Sequence, residues 1–238
     1  MVYYLAYYFL IFFIFSMFGY LCEVISVSII DKRINLNRGY FIGPYLPIFG
    51  FGSLLIILLL KDYNYDYIVL FILGMFLCVT LEYVTSYLLE KIFGLRWWDY
   101  SDKTININGR VSINTGLLFG LGTIFVLWIT NDYLIILLDK IPNNILIIIS
   151  SVLFIIFVLD FLVSTSIIVG LKNNRDDIIK SDNTEEIRKV MSEKISKHLF
   201  LYKRFIDAFP RIRLDDEVFA KINRYLERKR KKGKLNEQ

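Results

Sequence analysis

The hydrophobic residues of this chain fall into five long blocks separated by short polar segments, and this pattern predicts membrane-spanning helices. The first block holds one residue that is charged at neutral pH, Glu23, in 28 positions. About 20 consecutive apolar residues are enough to cross a bilayer. The predicted helices cover residues 3–30, 44–60, 67–92, 111–129 and 145–171. The expected fold class is all-α: a polytopic membrane bundle of five transmembrane helices over residues 1–171, followed by a tail over residues 172–238.

The second block is shorter than the others and carries two prolines, Pro44 and Pro47. Proline is tolerated in the first turn of a helix, where its missing N–H has no partner, but farther along it removes a backbone hydrogen bond. The sequence therefore predicts that helix two is short or begins with an unwound segment.

Composition supports the membrane assignment. Hydrophobic residues make up 55% of the chain and aromatic residues 16%, which is more apolar than ordinary soluble domains. The first block is longer than a secretory signal and has no basic start, so it is interpreted as a transmembrane helix.

The distribution of basic residues predicts the orientation, because cytoplasmic segments of membrane proteins collect Lys and Arg. With five helices and the N-terminus outside, 26 of the 28 basic residues fall on the cytoplasmic side. Only Lys61 and Lys140 fall outside. The expected topology places the N-terminus outside and the C-terminus in the cytoplasm.

Two parts of the chain repeat the same order of features. Helix one carries Glu23 and is followed by residues 49–53, FGFGS; helix three carries Glu82 and is followed by residues 119–123, FGLGT. The match is short, so chance is the alternative. A true repeat predicts two parallel hairpins related by an axis along the membrane normal, with small residues that let the helix backbones approach closely.

Acidic residues within the apolar helices need partners, since each costs about 2.5–3.5 kcal/mol at the centre of a bilayer. Glu23 and Glu82 lie toward the predicted cytoplasmic side. In the structural interpretation they pair with Arg38 and Arg110, which would hold the loops against the bundle. In the functional interpretation they line a hydrated pocket for a polar or cationic substrate or carry protons. Both interpretations remain open.

Three further polar residues, Ser86, Glu90 and Asp160, lie in the predicted apolar helices. Ser86 and Glu90 share a helical stripe with Glu82, and Glu90, beside Lys91, is interpreted as an ordinary boundary charge. Asp160 lies deep in helix five with Ser164 one turn away, and a functional role and helix pairing are equally open there.

The loop after helix three is rich in aromatic and hydrogen-bonding side chains. Trp97, Trp98 and Tyr100 are interpreted as an interfacial aromatic anchor. Directed hydrogen bonds are expected from the polar side chains of the same loop, namely Asp99, Asn106, Asn108 and Arg110. Glycines at positions 39, 43 and 109 are expected to supply backbone freedom. The predicted polar pocket therefore comprises Glu23, Arg38, Glu82, Ser86, Asp99, Asn108, Arg110 and Asp160.

Several chemistries have no support in the sequence. There is no G-x-x-x-x-G-K-[ST] loop, so the chain carries no P-loop ATPase of its own. Cys22 and Cys78 have no metal-ligand spacing, and the single histidine, His198, lies in the tail. No catalytic residues, resident metal or cofactor are predicted; Mg²⁺ held by carboxylates is expected only if the chain is an enzyme.

The tail from residue 172 has a different composition. Apolar residues recur at spacings of three and four between 187 and 206, which predicts an amphipathic helix, and the chain ends in a basic run at residues 228–234. Such a cluster attracts anionic headgroups at about 1 kcal/mol per basic residue. Nucleic acid is not expected as a partner, because no base-stacking module is visible. A solvated tail without a partner is the alternative.

The motifs of the two predicted cytoplasmic loops resemble those of the bacterial type IV ABC-transporter permease family, also called CmpB-like. The resemblance covers residues 1 to 130 and is most specific in its second half. It is carried by Asn37-Arg38-Gly39, Gly43-Pro44, Pro47-Ile48-Phe49-Gly50, Glu82-Tyr83, Ser86, Glu90, Trp97-Trp98-Asp99-Tyr100-Ser101 and Asn106-Ile107-Asn108-Gly109-Arg110. It implies a multi-pass protein of the bacterial cell membrane that acts in transport.

Three functions are compatible with these features. The leading hypothesis is a permease-like component that works with a separate ATPase or partner subunit, in a homo-oligomer or hetero-complex. The second is a membrane-embedded enzyme acting on lipid headgroups or prenyl phosphates, with Glu82, Asp99 and Arg110 at the interface. The third is a membrane scaffold or signalling protein whose basic tail reads the membrane surface.

Overall fold

In the computed structural model the described part of the chain is mostly helical. The structure describes residues 1–32, 34, 36–94, 96–180 and 208, without the side chains of residues 30, 31 and 171–180. The helices are α1 Val2–Asp31, α2 Pro47–Leu60, α3 Tyr67–Phe93, α4 Ile113–Ile129, α5 Ile135–Asp139 and α6 Asn143–Lys180. Two short antiparallel strands, β1 Asn106–Ile107 and β2 Val111–Ser112, form a hairpin before α4. The amphipathic helix predicted for the tail lies outside the described residues.

Four helical segments of the described chain are long and apolar enough to cross a membrane. They are Val2–Ile29, Tyr67–Phe93, Ile113–Asp139 and Asn143–Gly170. Large apolar side chains remain exposed along all four, as expected of surfaces that face lipid. The helical class and the multi-pass membrane character predicted from the sequence are confirmed.

The helix boundaries differ from the predicted ones in two informative places. The helix predicted for 111–129 begins at Ile113 and continues to Asp139, because a π-helical turn, Thr130–Leu134, joins α4 to α5. Within this turn the polar residues stay in helical backbone, and the Thr130 hydroxyl donates to the carbonyl of Val126 at 2.6 Å. The last helix, predicted for 145–171, runs from Asn143 to Lys180.

The second predicted helix is the short one, as its prolines indicated. α2 begins at Pro47, three residues later than predicted, and its N-cap residue Leu46 is extended. Fourteen helical residues span about 21 Å, which is less than the hydrocarbon thickness of about 30 Å. The segment before α2, residues 32–46, is called loop 1, and those of its residues that the structure describes are not helical.

Loop 1 returns along α1 instead of remaining at its end. The backbone N–H of Leu46 donates to the carbonyl of Ser16, at the middle of α1, at 2.9 Å. Because 15 residues separate Ser16 from Asp31 at the end of α1, α2 begins about 22 Å from that end. Loop 1 therefore places non-helical backbone at membrane depth.

The helices pack as two pairs, α1 with α2 and α3 with α4, and α6 lies against α1. Glycines allow close backbone approach within each pair. A Cβ built on Gly50 would lie 2.5 Å from the backbone oxygen of Phe12, and one built on Gly120 would lie 2.9 Å from that of Phe71. The largest core cluster joins α1, α2, α3 and α4 around Ile11, Leu70 and Leu127.

The segment between α3 and α4, residues 94–112, is called loop 2, and it meets loop 1 at one end of the bundle. The rings of Tyr40 and Trp97 lie 5.4 Å apart. Trp97 is 1% exposed and also packs on Phe93 and Ile168. The interpretation of Trp97 as an interfacial anchor is therefore wrong, because loop 1 and α6 cover its ring.

Candidate functional site

Asp160, on α6, is surrounded by hydrogen-bond donors from loop 1. Its carboxylate accepts from the backbone N–H of Ile42 at 2.9 Å and of Gly43 at 2.7 Å. The hydroxyl of Tyr45 donates at 2.6 Å and that of Ser164 at 2.8 Å. The carboxylate thus satisfies backbone groups that have left helical structure at membrane depth, where an unpaired group costs several kcal/mol.

Loop 1 has further attachments on both sides of Asp160. The hydroxyls of Tyr40 and Thr165 lie 2.6 Å apart, so a second position of α6 holds the loop. Phe41 and Tyr45 are buried, and both rings pack against Phe157. The path of loop 1 is therefore fixed by α6 as well as by α1.

Arg38 and Glu23 form the outer part of the same region. Arg38 is 4% exposed, and its Nη1 donates to the carbonyl of Ala208 at 3.2 Å. Its positive charge also acts on the carboxylate of Glu23 on α1. Among the described residues Glu23 and Arg38 form no ion pair, so their predicted pairing is not seen.

Glu82, on α3, receives hydrogen bonds from the second loop and from α4. It is 6% exposed. The hydroxyl of Tyr100 donates to Oε1 at 3.2 Å, and that of Thr115 to Oε2 at 3.5 Å. Thr115 lies in the first turn of α4, whose N-terminal partial positive charge favours a nearby carboxylate.

Arg110 contacts the same stripe of α3 closer to the helix end. Its Nη1 lies 2.7 Å from Oε2 of Glu90 and 3.2 Å from the hydroxyl of Ser86, to which it donates. Its guanidinium also stacks near the rings of Tyr83 and Tyr87, at 5.8 and 5.6 Å. The expected pairing of Arg110 with Glu82 is replaced by pairing with Glu90, so Glu90 is more than an ordinary boundary charge.

Asp99 and Asn108 hold the shape of loop 2. Oδ1 of Asp99 accepts from the hydroxyl of Ser101 at 2.6 Å and lies 3.6 Å from Nη1 of Arg96. Asn108 donates from its side chain to the hydroxyl of Tyr83 at 2.9 Å, and its backbone carbonyl accepts from Arg96. Asp99 thus fixes the loop internally, whereas Asn108 attaches it to Tyr83 of α3.

The turn of the loop 2 hairpin follows from its sequence. Asn108 and Gly109 have φ values of 52° and 64°, as type I′ hairpin turns require, and Asn-Gly is the favoured pair there. Arg110 then donates its backbone N–H to the carbonyl of Ile107 at 2.9 Å. The Asn-x-Asn-Gly-Arg motif thus sets the geometry that presents Arg110 to α3.

The contacts divide the eight predicted pocket residues into two groups. Glu82, Ser86, Asp99, Asn108 and Arg110 belong to α3 and loop 2, whereas Glu23, Arg38 and Asp160 belong to α1, loop 1 and α6. The Tyr40–Trp97 contact connects the two loops. Within the described residues no three acidic, histidine or cysteine side chains are grouped so as to hold a metal ion.

Sequence reasoning missed several residues that complete these groups. Tyr45 lies 115 positions from its partner Asp160, and Thr165 lies 125 positions from its partner Tyr40. Nothing in the local sequence marks either residue. Thr115 had a signal, because Ser112 and Thr115 have the spacing of a helix N-cap and its third residue, and both capping bonds are present.

One comparison with known proteins gives a match. A family model described as Putative ABC-transporter type IV matches residues 10–165. No curated protein and no solved structure matches the chain. The matched region includes all eight pocket residues, and it extends past residue 130 to include Asp160. Since it covers well over half of the 238 residues, this chain belongs to the Putative ABC-transporter type IV family.

Proposed function

We propose that this chain is the permease-like membrane component of a transport system and that a separate ATPase subunit drives it. The observation that carries the proposal is loop 1, whose non-helical backbone lies at membrane depth against Asp160. Broken helices with polar groups near the bilayer midplane are the usual construction of transporter sites. Family membership and the lack of a P-loop motif in the sequence support the proposal that ATP is hydrolysed by a separate subunit.

Loop 1 and α2 together make the second of five crossings in this proposal. α2 alone is too short, but it begins near the middle of α1, and loop 1 covers the remaining depth. The described protein surrounds loop 1 with α1 and α6, which is the condition under which irregular backbone is tolerated in a membrane. The proposed topology keeps the N-terminus outside and the C-terminus in the cytoplasm of a bacterial cell, as the basic residues predict.

The two helix pairs are internal repeats in this proposal. A shift of 59 positions aligns Glu23 with Glu82 and also Phe12 with Phe71, and a shift of 70 positions aligns Gly50 with Gly120. The close contact of Gly50 with the Phe12 oxygen thus corresponds to that of Gly120 with the Phe71 oxygen. The 70-position shift also aligns one glycine of each loop that has a positive φ, Gly39 and Gly109. The Phe12–Phe71 and Gly39–Gly109 correspondences lie outside the short FGxGS/T match, so they support the repeat independently of it.

The polar site is assigned to the end of the bundle where the loops meet. Glu82 and Asp160 are its inner acids, and the surrounding loop residues position them. The basic tail, in this proposal, holds the same face to anionic lipid headgroups. Five helices are few for a complete pathway, so the working unit is a homo-oligomer or a hetero-complex.

Purification of the tagged chain from its native membrane in a mild detergent, followed by native mass measurement, tests the partner. We expect a co-purifying subunit that carries a P-loop ATPase motif. Ile107, 57% exposed at the hairpin, lies on the proposed partner side, and Tyr65, 86% exposed, lies between α2 and α3. Ile107→Glu should release the subunit and Tyr65→Glu should retain it. A chain that purifies alone as a monomer would contradict the proposal.

A further inference from the structure

Within the described residues, Asp160 accepts hydrogen bonds from neutral groups only. Its partners are two backbone N–H groups of loop 1 and the hydroxyls of Tyr45 and Ser164, at 2.6 to 2.9 Å. No basic side chain in the described part of the chain lies within ion-pair distance of it. A carboxylate has about four acceptor positions, and here loop 1 and Ser164 occupy them.

Acidic residues nearer the end of the bundle, unlike Asp160, lie close to arginine side chains. Glu90 pairs with Arg110 at 2.7 Å, and Asp99 lies 3.6 Å from Arg96. Arginines of loop 2 therefore form ion pairs with the acidic residues at the bundle end. Asp160 instead has only backbone N–H and hydroxyl partners among the described residues.

A cation would bind such a carboxylate more strongly than its present partners do. Bonds to a carboxylate are already strengthened by its charge, but a cation adds the attraction between two full charges, which the low dielectric inside the bundle increases. An ammonium or guanidinium group offers both the positive charge and the N–H donors that the oxygens already use. An anion offers neither.

Loop 1 has the local freedom to release Asp160 without unfolding. Gly39 has a φ of 80°, and Gly43 lies at the contact itself, so glycines bound the segment 39–43. Ile42 is 38% exposed. A local displacement of Ile42 and Gly43 frees two acceptor positions while Phe41 and Tyr45 can stay packed.

We propose that Asp160 is a cation-binding carboxylate that loop 1 covers in this conformation, and that the transported molecule carries an ammonium or guanidinium group. This inference rests on the proposed transport function, whose substrate class it names. The bound cation takes the place of the Ile42 and Gly43 N–H donors, and loop 1 moves away from α6.

The experiment measures the rate at which a maleimide labels an introduced Ile42→Cys residue in the purified chain, with Cys22 and Cys78 replaced by Ala. Ethylammonium chloride is the probe, and tetramethylammonium chloride, a cation without N–H donors, is the control at equal ionic strength. Ethylammonium should raise the labelling rate about tenfold, as expected for a shift in a local opening equilibrium. Tetramethylammonium should leave the rate unchanged.

Asp160→Asn should give fast labelling without ethylammonium and no further response to it. Asp132→Asn, in the exposed π-helical turn of the same bundle, should respond as the unaltered chain does. If Asp160→Asn does not yield folded protein, Tyr45→Phe removes one donor and keeps the charge. It should shift the response to about threefold lower ethylammonium concentration.

A labelling rate that ignores ethylammonium, or a response that persists in Asp160→Asn, would overturn the inference. Equal responses to the two ammonium ions would overturn it as well, because hydrogen-bond donation would then play no part. None of these measurements needs an ATPase, so they are separate from the co-purification test of the proposed function.

Discussion

Loop 1 and loop 2 solve the same physical problem in different ways. Each brings non-helical backbone back into the bundle and ends at the start of a helix, α2 or α4. Loop 2 satisfies its backbone largely by itself, through the β1–β2 hairpin and the Ser112 N-cap. Loop 1 has no such cap at Leu46 and takes its acceptor from Asp160, 118 positions from Ile42. A self-contained loop depends on local sequence, whereas loop 1 depends on a distant helix.

The largest expected effect follows from removing the distant acceptor. Asp160→Ala should leave the N–H groups of Ile42 and Gly43 and the Tyr45 hydroxyl without their partner. The free energy of unfolding should fall by about 3–5 kcal/mol, since each buried unpaired donor costs roughly 1–3 kcal/mol. Equilibrium unfolding in mixed micelles measures it. Ser166→Ala, which removes an exposed bond within α6, is the control, and an equal loss in both variants would refute the comparison.

The glycine contacts test how far the two helix pairs are alike. Gly50→Ala should destabilise by about 2–3 kcal/mol, because a new Cβ would meet backbone of α1 that cannot move aside. Gly120→Ala should cost somewhat less, given its longer contact of 2.9 Å. Gly122 has no neighbouring atom within 4 Å of its Cβ position, so Gly122→Ala should be neutral or stabilising. Thermal unfolding of the three variants decides the order.

Within loop 2, substitution of Arg110 is expected to lower the stability most. Arg110→Met should cost about 2 kcal/mol, because it removes the Glu90 ion pair and the stacking on Tyr83 and Tyr87. A double-mutant cycle with Glu90→Gln should show a coupling of about 1 kcal/mol. A similar cycle with Glu82→Gln should show less. Stronger coupling to Glu82 would mean that the sequence-based pairing describes the molecule better than the geometry does.

The smallest expected effect concerns the cap that distinguishes the loops. Ser112→Ala removes the side-chain acceptor for the Thr115 N–H and should cost about 1 kcal/mol. The loss should stay within loop 2 and α4, so hydrogen exchange of loop 1 amides should not change. Faster exchange in loop 1 would show that the loops are not independent.

Much of this architecture could be predicted from local sequence. The apolar blocks predicted the long helices, the prolines predicted that α2 is short or begins with an unwound segment, and Gly109 predicted backbone freedom where the hairpin turns. Glu82, Ser86 and Glu90 were correctly placed on one stripe, since helical spacing requires it. These features depend on residues only a few positions apart.

The remaining features depend on contacts that local sequence does not encode. Arg110 pairs with Glu90 and not with Glu82 because the hairpin brings Arg110 to the end of α3, beside Glu90. Glu82, farther from that end, accepts from hydroxyl groups. The burial of Trp97 depends on Tyr40 from the other loop. The contact of Asp160 with loop 1 joins distant parts of the chain, and no spacing rule connects them.

Hydrogen exchange of the peptide containing residues 40–46 tests the central claim most directly, because its Ile42 and Gly43 amides either are bonded to Asp160 or are not. The account predicts slow exchange in the unaltered chain and fast exchange in Asp160→Asn, with the α3 amides protected in both. Fast exchange of this peptide in the unaltered chain would contradict the account, since loop 1 would then not be held inside the bundle.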